Sequence, residues 1–171
     1  MGADKALLPY RGTTLAGYVA REVEAAAGSV TLIGDPRRYA LLGYPVTADA
    51  VPECGPLGGI VTALRATAAN WNLVVACDMP AISAAFLRQL LAAAAGSRGR
   101  CLVPLPEPGR SQPLCAAYHR AALPALEQAL SDKVLKMRTV VKSLEPAYWT
   151  APDLAPFANI NTPEQWEATR L

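Results

Sequence analysis

The stretch Leu73-Val74-Val75-Ala76-Cys77-Asp78-Met79-Pro80 constrains this chain more than any other. Residues 73–77 are apolar throughout, as a central parallel strand covered on both faces is. The run stops on an aspartate, and Pro80 turns the chain sharply. Strand-like and helix-like segments alternate on either side of it, which predicts an α/β protein with a mostly parallel sheet. In such a sheet ligands bind beyond the carboxyl ends of the strands. Two aspartates fall there, Asp49 after the short strand pattern 45–48 and Asp78 after the long apolar run.

The other elements follow from periodicity and punctuation. Thr14 is a helix cap, Leu15, Tyr18, Val19 and Val23 share one helical face, and Gly28 ends the helix after Ala27. Residues 29–33 are β-rich and close on the turn Gly34-Asp35-Pro36, followed by a short helix over 37–42. Residues 50–59 hold two prolines and three glycines and predict a loop, with a helix from about Leu57–Ile60 to about Asn70. A helix over 83–95 has Gly96 past its end. Residues 101–105 and 113–119 predict strands joined by a turn-rich link, and 122–130 a helix, while the basic stretch 133–144 is ambiguous. Near the end, Thr162, Pro163 and Gln165 form a helix start with a capping box. With no repeat, low-complexity stretch or linker, the 171 residues are expected to form one domain.

Composition excludes several classes. A net charge of +2 gives no bulk attraction for nucleic acid. No apolar run reaches the ~18 residues of a membrane span, and residues 1–25 lack a signal-peptide pattern. Cys54, Cys77, Cys101 and Cys115 show no C-x-x-C spacing and are expected to be small buried hydrophobes in a reducing cytoplasm. His119 is the single histidine, so a Ser-His-Asp triad or a His-rich metal site is not expected.

The chemistry is therefore sought in carboxylates, amides and glycines. A carboxylate at the mouth of an apolar strand must stay solvated, cap the next helix or hold a cation. Asp78 suits Mg²⁺, which takes one or two carboxylates plus substrate phosphates. Asp49 is open to a turn, a cap or a ligand contact. Cys54-Gly55-Pro56-Leu57-Gly58-Gly59 runs into a helix whose free N–H groups suit an anion, but no Gly-Lys-Ser/Thr follows, so it is not a Walker A loop. Lys5 can meet phosphates as a mobile charge. Asn159 and Asn161 fall on one face of an extended segment and suit a polar ring or a phosphate, or a turn before the last helix.

These residues sit in a pattern. Gly2-x-Asp4-Lys5-Ala6-Leu7-Leu8-Pro9, Gly55-Pro56-Leu57-Gly58-Gly59-Ile60, Cys77-Asp78-Met79-Pro80, Gln112-Pro113-Leu114 with Tyr118, and Asn159-x-Asn161-Thr162-Pro163-Glu164 resemble the MobA-type molybdenum cofactor guanylyltransferases in order and spacing. The resemblance implies a Rossmann-like, GT-A-like nucleotidyltransferase fold, three layers around a mostly parallel sheet. It implies transfer of GMP from GTP to molybdenum-molybdopterin, with pyrophosphate released, in the cytoplasm. On it, Asp78 holds Mg²⁺ and acts with Lys5 in catalysis. Lys5, Asp49 and Asp78 bind GTP, and Asn159, Asn161 and Gly58 line the molybdopterin side. Molybdoenzymes or other cofactor-biosynthesis proteins would be partners.

In that family a first strand and a loop of the form L-A-G-G-x-S-x-R-M-G precede the Asp-Lys pair. Residues 1–171 are thus expected to be an N-terminally truncated domain whose start codon falls on an internal methionine, with weak GTP binding and two strands left unpaired. The alternatives are a molybdopterin cytidylyltransferase, a sugar-phosphate nucleotidyltransferase, and a non-catalytic truncated paralogue that binds cofactor. The Asn-x-Asn of the tail favours guanylyl over cytidylyl transfer.

Overall fold

The computed structural model describes residues 4–158; the tail segment with Asn159, Asn161 and the Thr162 cap lies outside the described residues. A short 3-10 turn over Lys5–Leu7 leads into a hairpin, β1 (Pro9–Tyr10) and β2 (Thr13–Thr14), turned at Arg11 and Gly12, both with positive φ. Helix α1 (Leu15–Ala27) is capped by Thr14, which accepts from the Gly17 N–H at 3.1 Å, and stops at left-handed Gly28. Strand β3 (Leu32–Ile33) pairs in parallel with β4 (Val46–Thr47) across α2 (Pro36–Tyr39). Next come α3 (Gly55–Ala66), β5 (Trp71–Val75), α4 (Ala84–Ala95, capped by Ser83) and β6 (Cys101–Leu105). The remaining elements are β7 (Cys115–His119), α5 (Leu123–Ser131), α6 (Met137–Ser143) and β8 (Ala147–Thr150).

The last four strands form one sheet in the order β5-β7-β6-β8. Strands β5, β6 and β8 run the same way, and β7 runs against both its neighbours. The expected mostly parallel sheet therefore holds for strand direction, while two of these three pairings are antiparallel. The reason is the short link between β6 and β7, which has no helix in it. A parallel return needs a crossover of about a dozen residues or more.

Side chains alternate across this sheet, and helices cover both faces. Leu73, Val75 and Cys115 pack with Val19, Val23, Phe86 and Leu87 of α1 and α4. Cys101, Val103, Ala116 and Tyr118 pack on the other face with Leu57, Val61, Leu126 and Val141 of α3, α5 and α6. The result is the three-layer α/β architecture that the sequence predicts.

Two expectations need correction. Strand β5 is not a strand buried on both sides; it ends the four-stranded sheet, and each of its five residues is half-buried. Its free edge faces β3 across an apolar slot of about 370 Å³, walled by residues 31–33 and 73–77, with α1 and α3 on its two faces. The Ala76 N–H and Asn70 C=O point to the β7 side, so the backbone groups of Leu73 and Val75 point into the slot. Leu32 and Gly34 donate toward β4, which turns Thr31 and Ile33 to the slot in the same way. The second correction concerns the cysteines: Cys101 and Cys115 are buried, whereas Cys77 is exposed and Cys54 half-exposed.

Candidate active site at the carboxyl rim of the sheet

Asp78 follows β5 at the rim where that strand ends. Residues on either side anchor it. The Ala76 N–H donates to the Leu114 carbonyl at 2.8 Å. Met79 and Ile82 are buried. Helix α1 and the hairpin hold the next turn: Tyr10 Oη donates to the Pro80 carbonyl, Tyr18 Oη to the Ile82 carbonyl, each at 3.0 Å. The Ala84 N–H donates to Glu22 Oε2 at 2.9 Å. Within this clamp, Asp78 Oδ1 is buried and has no hydrogen-bond partner among the described residues.

Asp78 lines a cavity of about 360 Å³ together with Ser111 and Gln112 of the β6–β7 link and with Lys136 and Arg138 at the start of α6. Buried Tyr118 fixes the link by donating to the Pro113 carbonyl at 2.9 Å. Helix α6 is fixed by its buried Val140 and Val141. One carboxylate and two cations thus line a single space large enough for phosphate groups. The basic stretch 133–144, ambiguous in the sequence, supplies both cations. Its charge was the signal, but only the fold brings it into one cavity with Asp78.

Lys5 stands in a short 3-10 turn capped by Asp4, which accepts from the Ala6 N–H at 3.0 Å and from Tyr39 Oη at 2.8 Å. Cys77 lies directly before Asp78, and its thiol is perturbed. Desolvation, then the Asp78 and Asp4 carboxylates, push that thiol above its ordinary pKa, and Lys5 opposes them.

Asp49 and Gly58 are brought together, but away from the residues lining the Asp78 cavity. Asp49 Oδ1 accepts from the Val51 N–H at 2.9 Å and from Thr62 Oγ1 at 3.0 Å. Thr62 Oγ1 also accepts from the Ala50 N–H and contacts the Gly58 carbonyl at 2.9 Å. A Cβ at Gly58 would collide with the Val51 carbonyl oxygen and press on both Asp49 oxygens at 3.3 Å. The glycine is needed for this close approach. Gly55 to Gly59 form the first turns of α3 rather than a preceding loop, and Cys54 gives that helix no side-chain cap. His119 accepts from the Ala121 N–H through Nδ1 at 3.2 Å and packs edge-on against Trp71, a structural role.

Among solved structures, this fold is similar to the molybdopterin-guanine dinucleotide biosynthesis protein A of Archaeoglobus fulgidus, with a TM-score of 0.83 at 23% identity, covering 99% of this chain and 90% of that one. It is also similar to the 2-C-methyl-D-erythritol 4-phosphate cytidylyltransferase of Thermus thermophilus, with a TM-score of 0.72 at 20% identity, covering 97% and 92%. The three-layer α/β architecture, a sheet between two layers of helices, is a nucleotidyltransferase fold. In sequence, the chain is 34% identical over 172 residues to the molybdenum cofactor guanylyltransferase of Xanthomonas euvesicatoria, covering 97% of this chain and 85% of that protein. It is 31% identical over 168 residues to that of Cupriavidus necator, covering 94% and 84%. The family model for the MobA-like NTP transferase domain matches residues 1–147, and the chain belongs to that family.

Proposed function

We propose that this protein transfers GMP from GTP to molybdenum-molybdopterin, forming molybdopterin guanine dinucleotide and pyrophosphate. The observation that carries the chemistry is Asp78, with its buried, unpartnered Oδ1, lining one cavity with Lys136 and Arg138. The choice of guanine and of the acceptor is supported by the relatives from Xanthomonas and Cupriavidus.

The orphaned oxygen fits Mg²⁺, a hard cation that takes oxygen ligands and leaves positions for phosphates and water. Among the described residues no cluster of three or more Asp, Glu, His or Cys forms a protein-built cage, so Asp78 would be the protein's ligand. When bound, Mg²⁺ supplies positive charge that offsets the charge of the phosphates. A phosphate oxygen of the acceptor attacks the α-phosphorus of GTP. The bond from that phosphorus to the α–β bridging oxygen breaks, and pyrophosphate leaves with the electron pair. The attacking oxygen is already anionic at neutral pH, so the protein need not supply a strong general base. Its residues align two anions and neutralise charge. In this reading Lys5 meets the triphosphate and Asp49 braces the GTP side. Gly58, Asn159 and Asn161 are assigned to binding molybdopterin. The reaction belongs in the cytoplasm, where free thiols stay reduced, and molybdoenzymes receive the product.

The test is pyrophosphate release from GTP, Mg²⁺ and molybdenum-molybdopterin, run beside CTP. Release from GTP alone, lost with Asp78→Asn, supports the reading. Equal use of CTP sinks the guanylyl assignment, and cofactor binding without pyrophosphate release makes the protein a non-catalytic carrier.

A further inference from the structure

The turn of the first hairpin carries a long side chain where its backbone suits a small one. Tyr10 pairs with Thr13, so Arg11 and Gly12 form a two-residue loop, with φ of 44° and 78°. Positive φ at both central residues is the pattern that favours Asn-Gly, because a bulky L-residue is strained there. Arg11 is exposed, yet its guanidinium carbon lies 5.3 Å from the ring centres of both Tyr10 and Tyr18, in the range of a cation–π contact. One of its nitrogens donates to Tyr18 Oη at 3.3 Å. The two tyrosines are buried, meet edge-on at 5.1 Å and share a core cluster with Met79 and Ile82. Their hydroxyls hold the Pro80 and Ile82 carbonyls. The Arg21 guanidinium also lies 5.2 Å from the Tyr18 ring and pairs with Glu22, whose other oxygen takes the Ala84 N–H. A chain of contacts therefore runs from an exposed cation, through two tyrosines, to the turn just after Asp78.

We propose that Arg11 is a positioning residue for Asp78, setting its carboxylate for the metal through Tyr10 and Tyr18. Arg11 does not line the Asp78 cavity, so it acts through the two tyrosines. By donating to Tyr18 Oη it occupies an acceptor position on that oxygen and leaves the hydroxyl proton for the Ile82 carbonyl. Lying over both rings, the guanidinium also keeps their tilt, and with it the two bonds to the turn. The contacts of the side chain offset the strain of its backbone, which is how an arginine persists where asparagine would fit more easily. The inference deepens the reading of Asp78 as the Mg²⁺ ligand and rests on it for the identity of the metal.

Arg11→Asn separates position from stability, since it suits the turn and removes the guanidinium. Its thermal midpoint should equal or exceed that of the parent. Its Mn²⁺ dissociation constant, read by the electron paramagnetic resonance of free Mn²⁺, should rise about threefold to tenfold, the scale of one or two exposed cation–π contacts. Without metal, the amides of Ile82 and Ala84 should exchange with deuterium faster by a similar factor, while those of β7 keep the rate of the parent. Arg11→Lys keeps a cation near both rings and should recover most of the Mn²⁺ affinity. Unchanged Mn²⁺ affinity in Arg11→Asn, or unchanged exchange at Ile82 and Ala84, overturns the inference. So does faster exchange across the whole sheet, which is general loosening. A lysine variant no tighter than the asparagine one overturns it as well, because a cation over the rings would not be the cause. A parent that binds no Mn²⁺ ends the metal reading of Asp78, while faster exchange at Ile82 and Ala84 in Arg11→Asn still supports the hold of Arg11 on that turn.

Discussion

A carboxylate oxygen buried without a partner destabilises the fold that holds it, because its desolvation is uncompensated. Asp78 Oδ1 is such an atom, and a cation removes the penalty. Asp78→Asn should therefore lower transfer by about 100-fold or more, yet unfold no more easily than the parent in EDTA. Mg²⁺ or Mn²⁺ should raise the thermal midpoint of the parent and leave that of the variant unmoved. Asp49 is the opposite case, since its Oδ1 already takes two hydrogen bonds. Thr62→Val, which strips Asp49 and the Ala50 N–H of a buried partner, should cost about 1–3 kcal/mol in urea unfolding. Both aspartates look alike in sequence, each just past a strand. What separates them is whether a nearby hydroxyl and amide have closed on the carboxylate, and that depends on Thr62 from the following helix.

Among the elements, those with local signals were legible. Helix α1 has Thr14 before it and Gly28 after it, α4 has Ser83, and β6 shows its full extent as Cys101–Leu105. Helix α3 begins at Gly55 because Pro56 suits a first helical turn and outweighs the glycines around it. Helix α6 and strand β8 were not legible. The first has no side-chain cap, and the second exists through its pairing with β6. The clamp on the Asp78 turn was hidden for the same reason, because it joins residues distant in sequence. Tyr10→Phe with Tyr18→Phe should cost about 1–3 kcal/mol through two lost buried hydrogen bonds. The same pair should weaken metal binding by loosening the turn, measured by Mn²⁺ titration.

For the molecule as a whole, burial fixes both reactivity and alkaline stability. Burial pushes the thiols of Cys101 and Cys115 from 9.0 up to about 12. Tyr39 moves from 10.0 to about 12, through desolvation first and then its hydrogen bond to Asp4. In each case the fold favours the protonated form, so the stabilisation is complete below the unfolded pKa values and is lost as pH rises toward about 12. Urea midpoints should hold to about pH 9 and fall above it, and iodoacetamide should label Cys77 and Cys54 long before Cys101 and Cys115. The slot beside β5 makes a further prediction: the amides of Leu73 and Val75 should exchange with deuterium faster than those of β7, which pair on both sides.

The position of β7 also governs how the chain acquires its structure. Strand β5 is made early, but the partner it needs, β7, lies beyond α4 and β6 in the chain. The sheet cannot zip up hairpin by hairpin as synthesis proceeds; β5 must wait for a strand that arrives from far along the sequence. Non-local pairing of this kind slows folding and prolongs the life of exposed strand edges. Refolding from urea should be slow, and the ladder between β5 and β7 should be the last to gain protection.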